Sequence, residues 1–516
     1  EIPIEAAGIL RRLGQGAPPI RSPLNRTLSA HREIVAYWPM EDGGGSFASA
    51  FPGTPPLLVT TGGETIRYGT DTEFPGSAPL ATLGAGRAVA AVPPYPPGQT
   101  NQIHMLLHMQ GEPEGPRQIL RIVTTGTVAR WDVWYSTSSQ SLAMTAYDRQ
   151  GNAVIPATVA NIPAADIPLQ VDVRLDEPSP GTVWMTVVGV PLGSDSTSQF
   201  TGDASGTVGR ITQIIVGDPN DLGDTAVGHI ALTTTPFVSA FTFQPEALGF
   251  PGEAAGLRLA RLAAEHDVPL QIVGELADTT PMGPQRVDTL LALMQECEAA
   301  DGGILGEARD EPGLLYRTRA SLYNQRAALT LDYNGKGLAP PFEPTDDDQA
   351  IRNDITATRA GGSSARVVRE TGPLSIQPPP DGVGIYDDSV TVNVERDEHL
   401  PDIAGWLVHL GTWDESRYPA LGVKVHKAPS IEAAARLDLG DRATVEHLPP
   451  WLPPGPADAL VQGYAETIEQ HQWWIDCNAS PAGPWRVWQL GVPGFDRLDT
   501  DGAELAEPVG EDDSTL

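Results

Sequence analysis

The spacing of apolar residues divides the chain into segments with different predicted secondary structure. Between residues 31 and 245 short runs such as Val128–Tyr135 alternate apolar and polar positions, and Gly, Pro, Asn and Asp separate the runs. Alternation with a period of two residues is typical of strands that bury one face. We therefore predict that residues 31–245 fold as a β-sandwich with its own core.

The period of the pattern changes near residue 250. Apolar residues follow helical spacing in Ala254–Glu265 and again in Pro284–Ala300. Two short apolar runs, Gly302–Arg309 and Leu314–Arg319, then flank a turn sequence, which predicts a hairpin. Residues 246–344 are therefore predicted to form an α+β domain.

The rest of the chain is predicted to be β-rich, with short additions at both ends. Residues 345–490 return to strand patterns, with helices predicted near Leu400–Leu410 and Ile431–Leu437. Residues 1–30 predict a short amphipathic helix followed by an extended linker. Residues 491–516 form an acidic tail with too few apolar residues to fold alone. The predicted fold class is mainly β with α+β parts.

Charge and cysteine content narrow the function. The formal net charge of −33 repels phosphate backbones and anionic membranes, so nucleic-acid binding by the surface is not expected. Cys297 and Cys477 are far apart in sequence and are read as reduced thiols rather than a disulfide framework. No apolar run is long enough to span a bilayer, so stable membrane insertion is not expected either.

Four stretches of the chain carry a family resemblance: Gly8–Gly16; Val35–Gly43; Ile351–Arg359 with Gly361–Ser363; and Ala404–Trp406 through Arg417–Pro419 to Val461–Tyr464. Together they resemble the minor tail or tail-hub proteins of long-tailed bacteriophages that infect actinobacteria. The second stretch resembles the opening strand of a laminin-G or concanavalin-like domain. Their order and spacing, more than any single motif, carry the resemblance, which extends from residue 1 to about residue 490.

The resemblance implies a structural protein of the virion, at the tail tip, and not an enzyme. It implies a hub of three copies, in which a concanavalin-like β-sandwich faces outward and is followed by an α+β hub domain and a β-barrel-like domain. The implied partners are the distal tail protein, the tape-measure protein, other tail-tip or fibre proteins and host cell-wall carbohydrate. Related proteins usually have a further hub domain before the Ile9–Leu13 segment, so truncation, cleavage or a separate chain is expected here.

The alternative function is a secreted carbohydrate-active enzyme in which the sandwich binds carbohydrate. The sequence lacks the common motifs of hydrolases, zinc proteases and phosphate-binding loops. A glycosidase needs two carboxylates about 5 to 10 Å apart across a cleft. Glu41 and Asp42 are adjacent on a strand and point to opposite faces, so this pair does not meet the requirement.

Two groups of residues in the predicted sandwich could bind a ligand. Trp131 and Tyr135 share a strand face and form either a sugar-stacking platform or part of the core, while Trp134 points the other way. His104 and His108 also share a face, as ligands, pH sensors or a hydrogen-bonded pair.

An acidic loop and the C-terminal tail provide the remaining candidates. Asp218, Asp221 and Asp224 could hold calcium, the one cofactor considered, or form a solvated acidic turn. Phe495 and Leu498 are the apolar anchors of the tail and are expected to dock into a groove of another subunit, with docking on their own chain, along a free strand edge, as the alternative.

Overall fold

The computed structural model describes residues 8–96, 98–237, 239–345 and 348–487. The chain divides into two compact units. One unit comprises the described residues up to Leu13, Ala254–Thr280 and the described residues from Met294 onward; we call it the composite unit. The other comprises Gly14–Glu253 and Pro281–Leu293 and is called the sandwich unit. The mainly β fold class with α+β parts is confirmed.

The helices of the described residues are short, as the glycine- and proline-rich composition predicts. Helices were correctly predicted at the N-terminus, after residue 254 and near residues 400 and 431. The helix predicted over Pro284–Ala300 begins later than expected. The helices are α1 Ile9–Gly14, α2 Pro23–Ala30, α3 Gln244–Ala247, α4 Ala255–Glu265, α5 Leu290–Asp301, α6 Arg319–Leu322, α7 Leu400–Gly411 and α8 Ile431–Ala435.

The prediction of an extended linker before the sandwich is wrong, because α2 occupies residues 23–30. The Ser22 side chain caps this helix by accepting from the backbone NH of Asn25 at 3.2 Å. Pro23 at the first helical position has the required φ and needs no donor there. Leu24 and Leu28 of α2 are fully buried against the sandwich, which explains why the compact unit begins before residue 31.

Two antiparallel sheets form the sandwich unit. One has the order β13-β12-β11-β6-β15-β4-β3 with β1 also on β15, and the other has the order β10-β9-β8-β7-β14-β5-β2. The strands are β1 Ile34–Trp38, β2 Leu58–Thr61, β3 Arg67–Asp71, β4 Leu80–Thr82, β5 Arg87–Ala91, β6 Thr100–Gln110, β7 Arg117–Thr124, β8 Val128–Ser136, β9 Ser141–Asp148, β10 Ala153–Pro163, β11 Leu169–Ser179, β12 Thr182–Pro191, β13 Ser198–Ser205, β14 Ile211–Val216 and β15 Asp224–Thr233.

Alternation along these strands places one set of side chains between the sheets. The shared core includes Trp38 and Met105 of the first sheet and Trp131 and Ile122 of the second, all fully buried. A turn that includes Gly151 connects β9 to β10, and this glycine adopts a φ of 88°, which a residue without a side chain accepts readily. The β-sandwich is thus the consequence of the period-2 pattern.

The composite unit contains three smaller sheets. Their orders are β16-β18-β17, β19-β25-β26-β27-β24-β20 and β22-β21-β23, and the second is nearly closed and barrel-like. The predicted hairpin is confirmed as β17 and β18. The strands are β16 Leu270–Val273, β17 Ile304–Glu307, β18 Leu314–Arg317, β19 Leu329–Asp332, β20 Leu338–Ala339, β21 Asp354–Arg359, β22 Ser364–Val368, β23 Asp387–Val392, β24 Ala420–Lys424, β25 Arg442–Glu446, β26 Ala457–Ile468 and β27 Trp473–Pro481.

Helix α1 belongs to the composite unit, although more than 200 residues of the sandwich separate it from the rest of that unit. The backbone NH of Leu10 donates to Oε1 of Glu307 at 2.9 Å. A Cβ on Gly8 would overlap the Glu307 carboxylate, so a larger residue there would require the Glu307 side chain to move. The chain therefore leaves the composite unit, folds the sandwich and returns.

Candidate functional site

The aromatic residues predicted as a sugar platform lie in the sandwich core. Trp131 and Tyr135 are fully buried, and the indole NH of Trp131 donates to Oγ1 of Thr124 at 3.1 Å. Their face of β8 points between the two sheets, where no polymer can reach it. The platform prediction is therefore wrong, and the alternative reading of these residues as core is right. Trp134 on the opposite face is half-buried and donates to Oγ1 of Thr145.

The three aspartates predicted as a calcium site do not come together. Asp218 accepts hydrogen bonds from the backbone NH groups of Gln118 and Asn220, and Asp221 accepts from Gly223. Asp224 forms an ion pair with Arg67. Among the described residues there is no group of three or more His, Cys, Asp or Glu placed to hold a metal ion. Each of these carboxylates instead bonds to its own partner in a turn or at the end of a strand.

His104 and His108 are each paired with a buried aspartate on the face of the first sheet that points away from the sandwich core. Nδ1 of His104 lies 3.0 Å from Asp172, and Nδ1 of His108 lies 2.6 Å from Asp71. The hydrogen bond to Asp71 raises the pKa of His108, an effect that burial opposes and the charge of Asp71 reinforces. Both histidines are therefore buried, and each is hydrogen-bonded to its own carboxylate.

Glu41, which precedes Asp42 in the sequence, is the centre of a buried hydrogen-bond network in the sandwich unit. Its carboxylate accepts from Oγ of Ser22 at 2.5 Å, Nδ2 of Asn25 at 2.6 Å and the NH of Ala78 at 2.8 Å. Burial alone would raise the pKa of Glu41, but hydrogen bonds from His229, Ser22 and Asn25 lower it from 4.5 to about 2. Glu41 therefore attaches α2 to the sheet as a carboxylate that is ionised at neutral pH.

An apolar groove of about 640 Å³ lies in the composite unit. Three tryptophans form its walls: Trp406 from α7, Trp413 just after α7 and Trp485 after β27. The rings of Trp406 and Trp485 meet edge to face, with centroids 4.9 Å apart. This contact and the packing of Tyr323 fix the shape of the groove.

Polar side chains border the groove on one side. Gln462 of β26 donates to Oγ of Ser480 at 2.9 Å, and Arg417 also lines the wall. No aspartate or glutamate is among the described residues of the lining. A mainly apolar groove with a few polar groups at its edge is suited to bind apolar side chains of a protein partner.

The sequence did not predict the groove, although three of its lining residues belong to a stretch that carries the resemblance. Trp406, Arg417 and Gln462 belong to one of the four stretches that carry the resemblance, and each stands more than ten residues from the next. The strand and helix patterns predict their elements but give no information on which elements are neighbours. Only the tertiary structure places them on one surface.

A second cavity of about 480 Å³ contains the acids Glu298 and Asp301 near the end of α5. Asp301 accepts hydrogen bonds from the hydroxyl of Tyr316 at 2.8 Å and the NH of Arg319 at 3.0 Å. Glu298 accepts from the NH of Leu305, and burial raises its pKa. Both carboxylates thus bind donors that connect α5 to the following hairpin and to α6, which is a structural use.

The proline-rich loop between β25 and β26 presents a large apolar side chain to solvent. Trp451 in this loop is 78% exposed. Exposed tryptophans surrounded by proline are favourable anchors for protein contacts, because little conformational entropy is lost when they bind.

Two other sequence predictions concern the C-terminal tail and membrane insertion. Phe495 and Leu498 lie outside the described residues, so their docking stays a prediction. Within the described ranges, no helix is both long enough and apolar enough to cross a bilayer.

Comparison with known proteins gives only distant structural likenesses. No family model matches the chain. No curated protein matches it significantly. Among solved structures, the chain is similar to the 43 kDa tail protein of prophage MuSo2 from Shewanella oneidensis, with 12% identity over 74% of this chain and 98% of that chain and a TM-score of 0.31.

Two further solved structures illustrate the range of the likenesses. A tail protein from Neisseria meningitidis MC58 is 10% identical over 72% of this chain and 98% of that chain, with a TM-score of 0.30. The PL-14 alginate lyase from Aplysia kurodai is 5% identical over 39% of this chain and 99% of that chain, with a TM-score of 0.29. TM-scores this low carry no argument about function, which must therefore rest on this chain's own residues.

Proposed function

We propose that this chain is a structural subunit of the tail tip of a long-tailed bacteriophage and has no catalytic role. The observation that carries the proposal is the groove of the composite unit. The stretch that runs from Ala404 to Tyr464, which resembles tail-hub proteins in sequence, supplies Trp406, Arg417 and Gln462 to this one surface. Residues that are distant in sequence and meet at an apolar surface are expected in a protein built for assembly.

The order of the chain supports the same role. The composite unit is assembled from segments before and after the sandwich, and Leu10 is hydrogen-bonded to Glu307 across that interval. A module inserted in this way can be displayed without interrupting the unit that carries it. We infer that the composite unit builds the hub and that the sandwich is the displayed part.

We propose that three copies assemble, with the groove of each copy covered by its neighbour. A permanent interface of this kind buries more than about 2,000 Å² in total. The distal tail protein and the tape-measure protein are the proposed partners on either side of such a ring, as the sequence resemblance implies.

Attachment to host carbohydrate is the proposed role of the sandwich, but not through Trp131 and Tyr135. Trp184 of β12 is 40% exposed, and Asp203 is its register partner on β13. An exposed indole beside a carboxylate can stack on a sugar ring and accept from its hydroxyls. Trp184 is therefore the residue at which sugar binding should be tested.

The assembly proposal is tested by the mass of the full chain in solution. Ala350 is exposed at the groove, and Ala350→Arg places a charge among the tryptophans. We expect the unaltered chain to sediment as three copies and A350R as one folded copy, with an unchanged far-UV circular dichroism spectrum. The matched control is Ala264→Arg on the exposed side of α4.

Two outcomes would overturn the assembly proposal. The first is that the unaltered chain remains a single copy at about tens of micromolar, and the second is that A350R assembles as well as A264R does.

The enzyme alternative would gain support if the purified chain released reducing ends from polysaccharides. Replacement of Glu298 and Asp301 by amides would then show whether the second cavity is responsible.

A further inference from the structure

All the lysines of this chain lie around one cavity. The sequence contains 33 Lys and Arg residues, and Lys336, Lys424 and Lys427 are its only lysines. They line a cavity of about 520 Å³ in the composite unit, together with Tyr333 and Phe342. Three residues spread over 92 positions of sequence thus converge in a protein whose net charge is −33. We call this cavity the lysine pocket.

Two chain segments that are hydrogen-bonded to each other hold the lysines. Lys336 lies in the turn that connects β19 to β20, and Lys424 ends β24. The backbone NH of Lys424 donates to the carbonyl of Gly337 at 2.7 Å, and Lys427 lies one short turn further along. A Cβ on Gly337 would lie 3.0 Å from Cα of Ala428, so the two segments are closely packed. The packed backbone therefore fixes the position of the Cα atom from which each lysine side chain extends.

An aromatic wall completes the lysine pocket. The ring of Phe342 stacks on Tyr418 with centroids 4.4 Å apart and planes 6° from parallel. Tyr333 lies on the same cavity and is half-buried. The wall is rigid, apolar and next to the positive charges.

The lysine ammonium groups have no carboxylate partner inside the described part of the chain. Arginines and histidines make its ion pairs, such as Arg121 with Asp132 and Arg442 with Asp458. None of the three ammonium groups is in an ion pair or a side-chain hydrogen bond with a described residue. Lys424 is 5.5 Å from the ring centroid of Trp474, which is a weak contact. Like charges placed together without a counter-charge repel one another, so folding alone does not explain the cluster.

We propose that the lysine pocket binds the phosphate group of a phosphate ester, with the organic part of the ester against Phe342 and Tyr333. A lysine ammonium is a compact charge that suits tetrahedral phosphate, whereas this chain uses the planar arginine fork for its carboxylates. The pocket is small and the rest of the protein is strongly acidic. A long polyanion would be repelled on either side, and a compact anion would not.

The test is calorimetric titration of the full chain with sn-glycerol 3-phosphate, and with inorganic phosphate to measure the contribution of the organic part. Lys336 and Lys427 are exposed, so Lys336→Gln and Lys427→Gln should fold normally. Each is expected to weaken binding roughly fivefold, the size of one exposed charge interaction. Lys336→Arg should keep most of the affinity, and Arg436→Gln, which removes an exposed charge just after α8, should change nothing.

The proposal predicts tighter binding of glycerol phosphate than of inorganic phosphate. It is overturned if glycerol phosphate does not bind saturably, or if the Lys→Gln and Arg436→Gln variants bind it equally. It is also overturned if a 12-nucleotide single-stranded DNA binds more tightly than glycerol phosphate and loses affinity in the same lysine variants. Displacement of glycerol phosphate by a lower concentration of a peptide of residues 496–513 would likewise overturn it, in favour of an acidic segment of this chain as the occupant.

Discussion

Replacing Glu41 by glutamine removes the charge from the network that attaches α2 to the sandwich. Glutamine keeps the size of the side chain, but its amide nitrogen must face at least one group that now donates to a carboxylate oxygen. The Glu41 side chain is only 12% exposed, so solvent does not compensate for the loss. The variant therefore resembles the protein with Glu41 protonated.

The pKa of Glu41 gives the magnitude. A pKa lowered from 4.5 to about 2 corresponds to about 3 kcal/mol of stabilisation of the ionised form. Because the folded-state pKa is the lower one, this stabilisation is complete above pH 4.5. It declines as the pH falls between the two values and is lost below pH 2.

Hydrogen exchange followed by mass spectrometry measures the effect locally. We expect the amides of α2 and of Ala78 to exchange about two orders of magnitude faster in Glu41→Gln at pH 7, since about 1.4 kcal/mol is a factor of ten. In the unaltered protein their protection, corrected for intrinsic exchange, should fall as the pH is lowered below 4.5. The exposed Glu64→Gln is the control and should leave both peptides unchanged.

The reasoning fails if α2 is equally protected in Glu41→Gln and Glu64→Gln. It also fails if Glu41→Gln shows the same loss of protection at low pH as the unaltered protein, because another carboxylate would then be responsible.

Two further predictions concern the packing of the sandwich unit. Trp131→Ala should destabilise it by about 3 to 5 kcal/mol, the usual cost of removing a fully buried aromatic, and an unchanged thermal unfolding profile would contradict the core assignment. Gly76→Ala should lower the melting temperature, because its Cβ would overlap the backbone carbonyl oxygen of Glu246. Gly43→Ala is the matched control with open space around the new methyl group, and equal melting temperatures of the two variants would show that the backbone near Gly76 can move.

Several elements could be predicted from local sequence because their determinants are local. The helix α4 and the hairpin β17–β18 are encoded by apolar periodicity and by turn residues within a few positions. Helix α2 carried an equally local signal, Ser22 as cap and Pro23 at the first position, which the preceding prolines obscured. The determinants of α2 are therefore present in the local sequence.

The sites could not be predicted in the same way. The alternation along β8 places Trp131 and Tyr135 on one face of the strand but does not show which face is buried. The other sheet of the sandwich covers their face, so these residues are core and not a sugar platform. Asp218, Asp221 and Asp224 are close in sequence, yet each accepts from a different donor.

The sequence by itself determined the β-rich class, the position of the period change near residue 250 and the resemblance to tail-hub proteins. The tertiary structure alone decided that α1 joins the composite unit, that Trp406 and Gln462 share a groove and that Lys336 meets Lys424. The physical reason is that strand and helix propensities act over a few residues. Burial and electrostatic contact act between residues that the pairing of distant strands brings together, and that pairing is a property of the whole fold.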